Sequence, residues 1–237
     1  MNPSSLRLEQ VPVMLRGEAD RLIDWTREND LARAAFFVFV IVVGSGIYGA
    51  TIGMWRAGEQ AFYAAVKFPL VILLTVFGNA ALNGMLAPLL GLNLRFRESL
   101  FAVLVSFTIT SAILAGFSPI LFFLVMNTPS VAEAGGRSGN VHAFVLLLQV
   151  VVIAFAGVAG NLRLMQFLKN WSSDAAVARR VMLSWLAGNL FFGAQLSWNL
   201  RPFIGSPGLP VQFLRDDALS GTFYEAVFNS VLRLISS

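Results

Sequence analysis

Any chemistry in this chain would fall to amides. Six of them lie inside apolar stretches, Asn79, Asn83, Gln149, Asn189, Gln195 and Asn199, and Arg201 follows the last by two residues. Asn79 and Asn83 are four residues apart, as are Gln195 and Asn199, so each pair shares one helix face. An amide offers donors and acceptors without a charge. In an apolar medium such groups either hydrogen-bond between helices, for about 0.6–2 kcal/mol per contact, or line a path or substrate cavity that water can enter. Other chemistries find little material. Cysteine is absent, which excludes disulfides, thiolate metal sites and thiol catalysis. The single histidine, His142, sits at the edge of an apolar stretch and reads as an interfacial polar group rather than a metal ligand. Ser197 has no His, Lys or Asp beside it in sequence to activate it as a nucleophile. The expectation is a protein without catalytic residues, cofactor or metal.

The medium around these amides follows from composition. Hydrophobic residues make up 57% of the chain and charged residues 13%, against about 25% charged in an ordinary soluble domain; the mean hydropathy is +0.71. Lipid removes the need for a polar exterior and requires backbone groups to bond internally, which favours long helices. Five apolar stretches are each long enough to cross a hydrocarbon core of about 30 Å at about 1.5 Å per residue. They run from Ala34 to Trp55, Phe68 to Leu90, Leu100 to Val125, Ala143 to Gly160 and Val181 to Leu200. The expected fold class is all-α, a polytopic transmembrane helical bundle of about five spans with amphipathic helices at both termini. Residues 1–33 form a cytoplasmic amphipathic segment, 34–200 the transmembrane domain and 201–237 an exported tail.

Local signals refine this outline. Leu15, Ala19, Leu22 and Ile23 recur at helical spacing among charges, which reads as an interfacial helix rather than a cleavable signal. Ser172, Ser173 and Asp174 offer an N-cap for the fifth helix. Gly78 and Gly84 bracket the asparagine pair and Pro88 follows, predicting a locally unwound second helix. Gly116 and Pro119 predict a kink in the third. Gly46, Gly49 and Gly53 form a small-residue face for another helix, within the monomer or at a dimer seam. The tail is stiffened by Pro202, Pro207 and Pro210, and Thr222 with Glu225 offers a capping box ahead of Phe223, Val227, Phe228, Val231 and Leu234. No ionisable residue is expected deep in a span, which argues against ion-coupled transport.

Orientation follows from the basic residues. Eleven lie on the side of the N-terminus and six on the other, counting Lys67 in the first exported loop. The N-terminus is therefore expected in the cytoplasm. Trp25 and Trp171 near one boundary, and Trp55, Tyr63 and Trp198 near the other, read as aromatic belts. The basic excess is topological, so the partners expected are the lipid bilayer, a second copy or other membrane proteins, and no nucleic acid. Lys67 and Lys169 are the only lysines in an Arg-, Ala- and Leu-rich chain. That usage suggests a bacterial origin and hence the cytoplasmic (inner) membrane.

Two blocks look familiar. Lys67-Phe-Pro-Leu-Val-Ile-Leu-Leu-Thr75 resembles the Lys-x-Pro-aliphatic opening of a span in Yip1-like membrane proteins, whose layout is also five spans after a cytoplasmic N-terminus. The resemblance implies a role in membrane organisation through protein partners, without catalysis. Gly193-Ala-Gln-Leu-Ser-Trp-Asn-Leu-Arg-Pro-Phe-Ile-Gly-Ser-Pro207 resembles a block of uncharacterised bacterial multi-pass proteins. There Arg201 would stand near the negative pole of the fifth helix and can pair with Asp216 or Asp217, as a clamp on the tail or as part of a ligand site. Two functions are thus expected: a non-enzymatic scaffold, or a small oligomeric channel or transporter with an amide-lined path.

Overall fold

The computed structural model describes residues 31–92, 95–130, 133, 135, 138–172, 174–225 and 228. Residues 1–30 of the N-terminal amphipathic segment, with Trp25 among them, most of the C-terminal amphipathic helix and the Trp171 side chain lie outside the described residues. Five long helices follow one another: α1 (Leu31–Gly53), α2 (Gly58–Leu89), α3 (Phe96–Met126), α4 (Ser138–Trp171) and α5 (Ala175–Asn199). No strand occurs among the described residues. The first four are long and apolar enough to cross a membrane, so the chain is a membrane-embedded helical bundle. α5 falls short of that apolarity, because Arg179, Arg180, Asn189, Gln195 and Asn199 dilute it.

The helices outrun the apolar stretches that mark them. α2 has 32 residues, a length of about 48 Å against a hydrocarbon core of about 30 Å. The stretch from Phe68 onward suffices to cross, so the turns from Gly58 to Lys67 project beyond it. This corrects the placement of Lys67 in a loop. Glu59 in the first turn suits the positive pole of the helix, and the projecting turns have the C-terminal tail to pack against.

α1 packs on α2 and α3, α3 also meets α2 and α4, and α5 lies on α2 with a thinner contact to α4. Close approach is made by glycine. A Cβ on Gly49 would overlap the Ala64 carbonyl of α2, one on Gly53 would come within 2.6 Å of Ala61, and one on Gly44 within 2.6 Å of the Ser111 carbonyl of α3. The small-residue face is therefore filled by this chain's own helices. The expected unwinding of α2 does not occur. α2 continues unbroken through Gly78 and Gly84 to Leu89; those glycines instead admit the rings of Phe192 from α5 and Phe96 from α3. α3 is likewise continuous through Pro119, with the Ser118 hydroxyl donating to the Leu114 carbonyl at 3.0 Å.

The ends are capped by local chemistry. The Asp174 carboxylate accepts from the Ala176 N–H at 2.7 Å and starts α5. In the tail, Thr222 and Glu225 exchange side-chain and backbone bonds at 3.1 and 2.8 Å.

Gly49→Val is expected to destabilise the bundle by about 1–3 kcal/mol, the usual cost of overpacking. Gly116→Ala, with open space around it, should be neutral or slightly stabilising through helix propensity. Thermal unfolding of both variants in the same detergent checks this pair, and an unshifted midpoint for Gly49→Val would contradict the packing described.

Candidate functional site

The structure divides the amides into two groups. Asn79 and Asn83 are fully buried on α2. The Asn79 amide donates to the Asn189 side chain and to the Trp185 carbonyl (3.3 Å), both on α5, and the Asn83 amide donates to the Asn79 oxygen at 2.9 Å. Gly188 makes room for this row, since a Cβ there would overlap the Asn79 oxygen. The row bonds to itself and to backbone across the α2–α5 seam. Gln195 and Asn199 form the second group, at the other end of α5. Gln195 donates to Asn199 at 2.9 Å and accepts the Phe223 N–H at 3.2 Å, which ties the tail back to the helix.

Arg201 continues that tie. Its guanidinium lies over the Trp198 ring at 3.9 Å, donates to the Trp198 carbonyl at 2.8 Å and pairs with Asp217 at 3.0 Å. The Trp198 carbonyl, among the last four of α5, also accepts the Arg201 backbone N–H at 3.3 Å. Asp217 is 67% exposed, so the ion pair contributes about 0–1 kcal/mol and serves mainly to fix geometry.

Two residues that sequence reasoning passed over do more. Lys67 and Gln60 are both fully buried. The Lys67 ammonium donates to the Pro202 carbonyl at 2.8 Å, and the Gln60 amide donates to the carbonyls of Pro202 (3.1 Å) and Phe203 (2.8 Å). Around the ammonium stand the rings of Phe213 at 4.9 Å and of Tyr63 and Phe203 at 5.9 Å. Lys67, read from the sequence as a loop charge, is thus buried within the protein on the projecting turns of α2. Aromatic faces and a carbonyl replace its lost hydration. The signal in the sequence was the seven-residue spacing of Gln60 and Lys67, one helix face, ahead of a proline-rich tail whose carbonyls need donors.

The residues read as an exported aromatic belt are also engaged inside the protein. Trp55 is 4% exposed and donates to the Pro129 carbonyl at 3.1 Å, with the His142 ring 5.6 Å away. Tyr63 meets Phe213 edge-on at 5.3 Å, and Trp198 reaches the Ser220 carbonyl at 3.5 Å. They hold loop and tail over the mouth of the bundle.

Between that tail and α4 lies a cleft of about 620 Å³, within the range of about 300–1,000 Å³ usual for small-molecule sites. His142, Leu146, Gln149 and Val150 line it from α4 and Ser197 from α5. The tail adds Arg201, Leu209 and Arg215. Gln149 and Arg201 are thereby brought to one site, while Asn79, Asn83 and Asn189 lie elsewhere. Two guanidiniums, one of them paired with the Asp217 carboxylate, stand there with an amide, an imidazole and the hydroxyls of Ser197 and Ser206, and Arg215, without a carboxylate partner among the described residues, suits the cleft to binding an anion. Among the described residues, no group of three or more His, Asp or Glu converges as a metal site. No known protein family, curated protein or solved structure matches the chain.

Replacing Lys67 with Met leaves the ring cage an apolar occupant but removes one of the two donors to the Pro202 carbonyl. The expected result is faster hydrogen exchange at the Phe203, Ile204 and Gly205 amides with helix content unchanged, and a loss of about 1–3 kcal/mol in stability. Undiminished protection there would mean that carbonyl capture is not what holds the tail.

Proposed function

We propose that this protein is a non-enzymatic scaffold or membrane-organisation protein of the bacterial cytoplasmic membrane, with the Yip1-like layout its sequence resembles. One observation carries the reading. Of the asparagines that an amide-lined path would need, Asn79 is spent on joining α2 to α5 and Asn83 on bonding Asn79, both fully buried. Side chains buried in this way between helices stabilise the bundle and are closed to a passing solute.

The outer face of α4 supports the same reading. Only 22% of its apolar window is buried, and Leu147, Val151, Phe155, Val158 and Leu162 recur along one exposed stripe. Such a stripe meets lipid, another copy or a partner helix. In this reading α5 is the fifth crossing, the N-terminus is cytoplasmic and the tail is exported. The orientation rests on the basic residues: with the buried Lys67 and Arg33 set aside, five remain on the tail side against ten on the other.

The purified protein in liposomes should give ion and small-solute flux no greater than empty vesicles, and Asn83→Leu should lower its thermal stability by about 1 kcal/mol. Flux that Gln195→Leu alters while the protein stays folded would replace the scaffold by a channel.

A further inference from the structure

The cleft under the tail has a charge at its mouth that the protein does not balance. Arg201 is matched by Asp217. Arg215 has no carboxylate partner among the described residues; its contacts are the Gln212 side-chain oxygen at 3.3 Å and the Pro210 carbonyl at 3.5 Å, both neutral and long. Behind Pro202 and Phe203, which line the cleft, lies the buried ammonium of Lys67, whose contacts are the Pro202 carbonyl and aromatic faces. Asp216, the acid next in sequence, is exposed and does not line the cleft. The cleft therefore holds Arg201, Arg215 and, beneath its wall, Lys67 against the single carboxylate of Asp217.

The opposite wall is of another kind. His142, Leu146, Gln149 and Val150 recur along α4 over two turns, about 12 Å of helix. Leu146 and Val150 are 45% and 52% exposed on a helix long and apolar enough to cross the membrane. The cleft thus begins among the guanidiniums of the tail and ends along α4 on the exposed aliphatic side chains of Leu146 and Val150, with the Gln149 amide between them. A soluble anion would satisfy the upper part alone. A molecule that fits both parts has a negatively charged head and a hydrocarbon chain.

We propose that this cleft binds one anionic phospholipid, its phosphate beside Arg215 and Arg201 and an acyl chain along Leu146 and Val150. The bilayer supplies the ligand, and the site holds whether the bundle acts as a scaffold or conducts. A phosphate accepts strong, charge-assisted bonds from a guanidinium, which Arg215 is free to make because its present partners are weak.

Native mass spectrometry of the full chain, delipidated and titrated with phosphatidylglycerol or phosphatidylcholine, tests this directly. One phosphatidylglycerol should bind per chain, at least about tenfold tighter than phosphatidylcholine, and Arg215→Gln should erase about that factor, equivalent to about 1.4 kcal/mol. Val150→Trp, which narrows the aliphatic wall, should weaken binding without touching the charge. Arg180→Gln, at the opposite end of α5, should leave affinity unchanged. Equal affinity for the two lipids, or binding indifferent to both Arg215→Gln and Val150→Trp, would overturn the proposal. So would displacement of the lipid by inorganic phosphate at concentrations similar to the lipid's own, because the site would then recognise the free anion. Liposome flux reads none of these outcomes, so failure here is distinct from failure of the scaffold reading.

Discussion

A proline-rich strand of chain without regular structure has to find donors for its carbonyls, and that constraint organises one whole end of this molecule. Pro202, Pro207 and Pro210 contribute carbonyls but no N–H groups, and after Asn199 no helix resumes until Phe223. Buried carbonyls are almost never left unpaired. Here the donors come from a helix more than a hundred residues earlier in the chain, where Gln60 and Lys67 reach the Pro202 and Phe203 carbonyls. Burying an ammonium costs several kcal/mol unless it is compensated. A carbonyl bond and three aromatic faces supply the compensation, so the charge and the tail hold each other in place.

The same helix serves further contacts of consequence. One face of α2 gives Ala61 and Ala64 to the glycines of α1, another gives Asn79, itself held by Asn83, to α5, and its projecting turns take the tail. The amide row sets the register of α5 against α2, because neutral polar groups in an apolar seam are satisfied in few alignments. That register fixes where α5 ends, and hence where the tail begins relative to Gln60 and Lys67. The two clusters, far apart along α2, are therefore coupled through the length of α5.

What the sequence disclosed and what it hid follow from range. The apolar stretches located all five helices to within a few residues at most ends, because burial in lipid or protein demands unbroken apolarity. Short-range chemistry was equally plain: Asp174 capping α5, Thr222 with Glu225, and amides four residues apart. For Arg201 the sequence narrowed the partner to two neighbouring acids, and the choice of Asp217 is a matter of three-dimensional path. The α4–α5 connection illustrates the limit, since α4 runs on to Trp171, well past the last residue that hydropathy marked. Lys67 was hidden for a similar reason. A lysine at the edge of an apolar run reads as a loop charge, and its acceptor lies 135 residues away. Glycine misled in the other direction, since the residue that permits unwinding also permits close packing, and in α2 at Gly78 and Gly84 it does the second.

The cleft is a consequence of this arrangement rather than an addition to it. A tail fastened to α2 and α5 crosses the mouth of the bundle, while α4, bound chiefly to α3 and only thinly to α5, stands away from it. The gap between them inherits a polar rim from the tail, where Arg201 and Arg215 lie, and an aliphatic floor from α4. Closing that gap with protein would require α4 to pack on the tail, and its residues there, Leu146 and Val150, are suited to hydrocarbon instead. A bundle that secures its tail through α2 and leaves α4 facing the bilayer thus creates a site whose two halves match the two halves of a lipid.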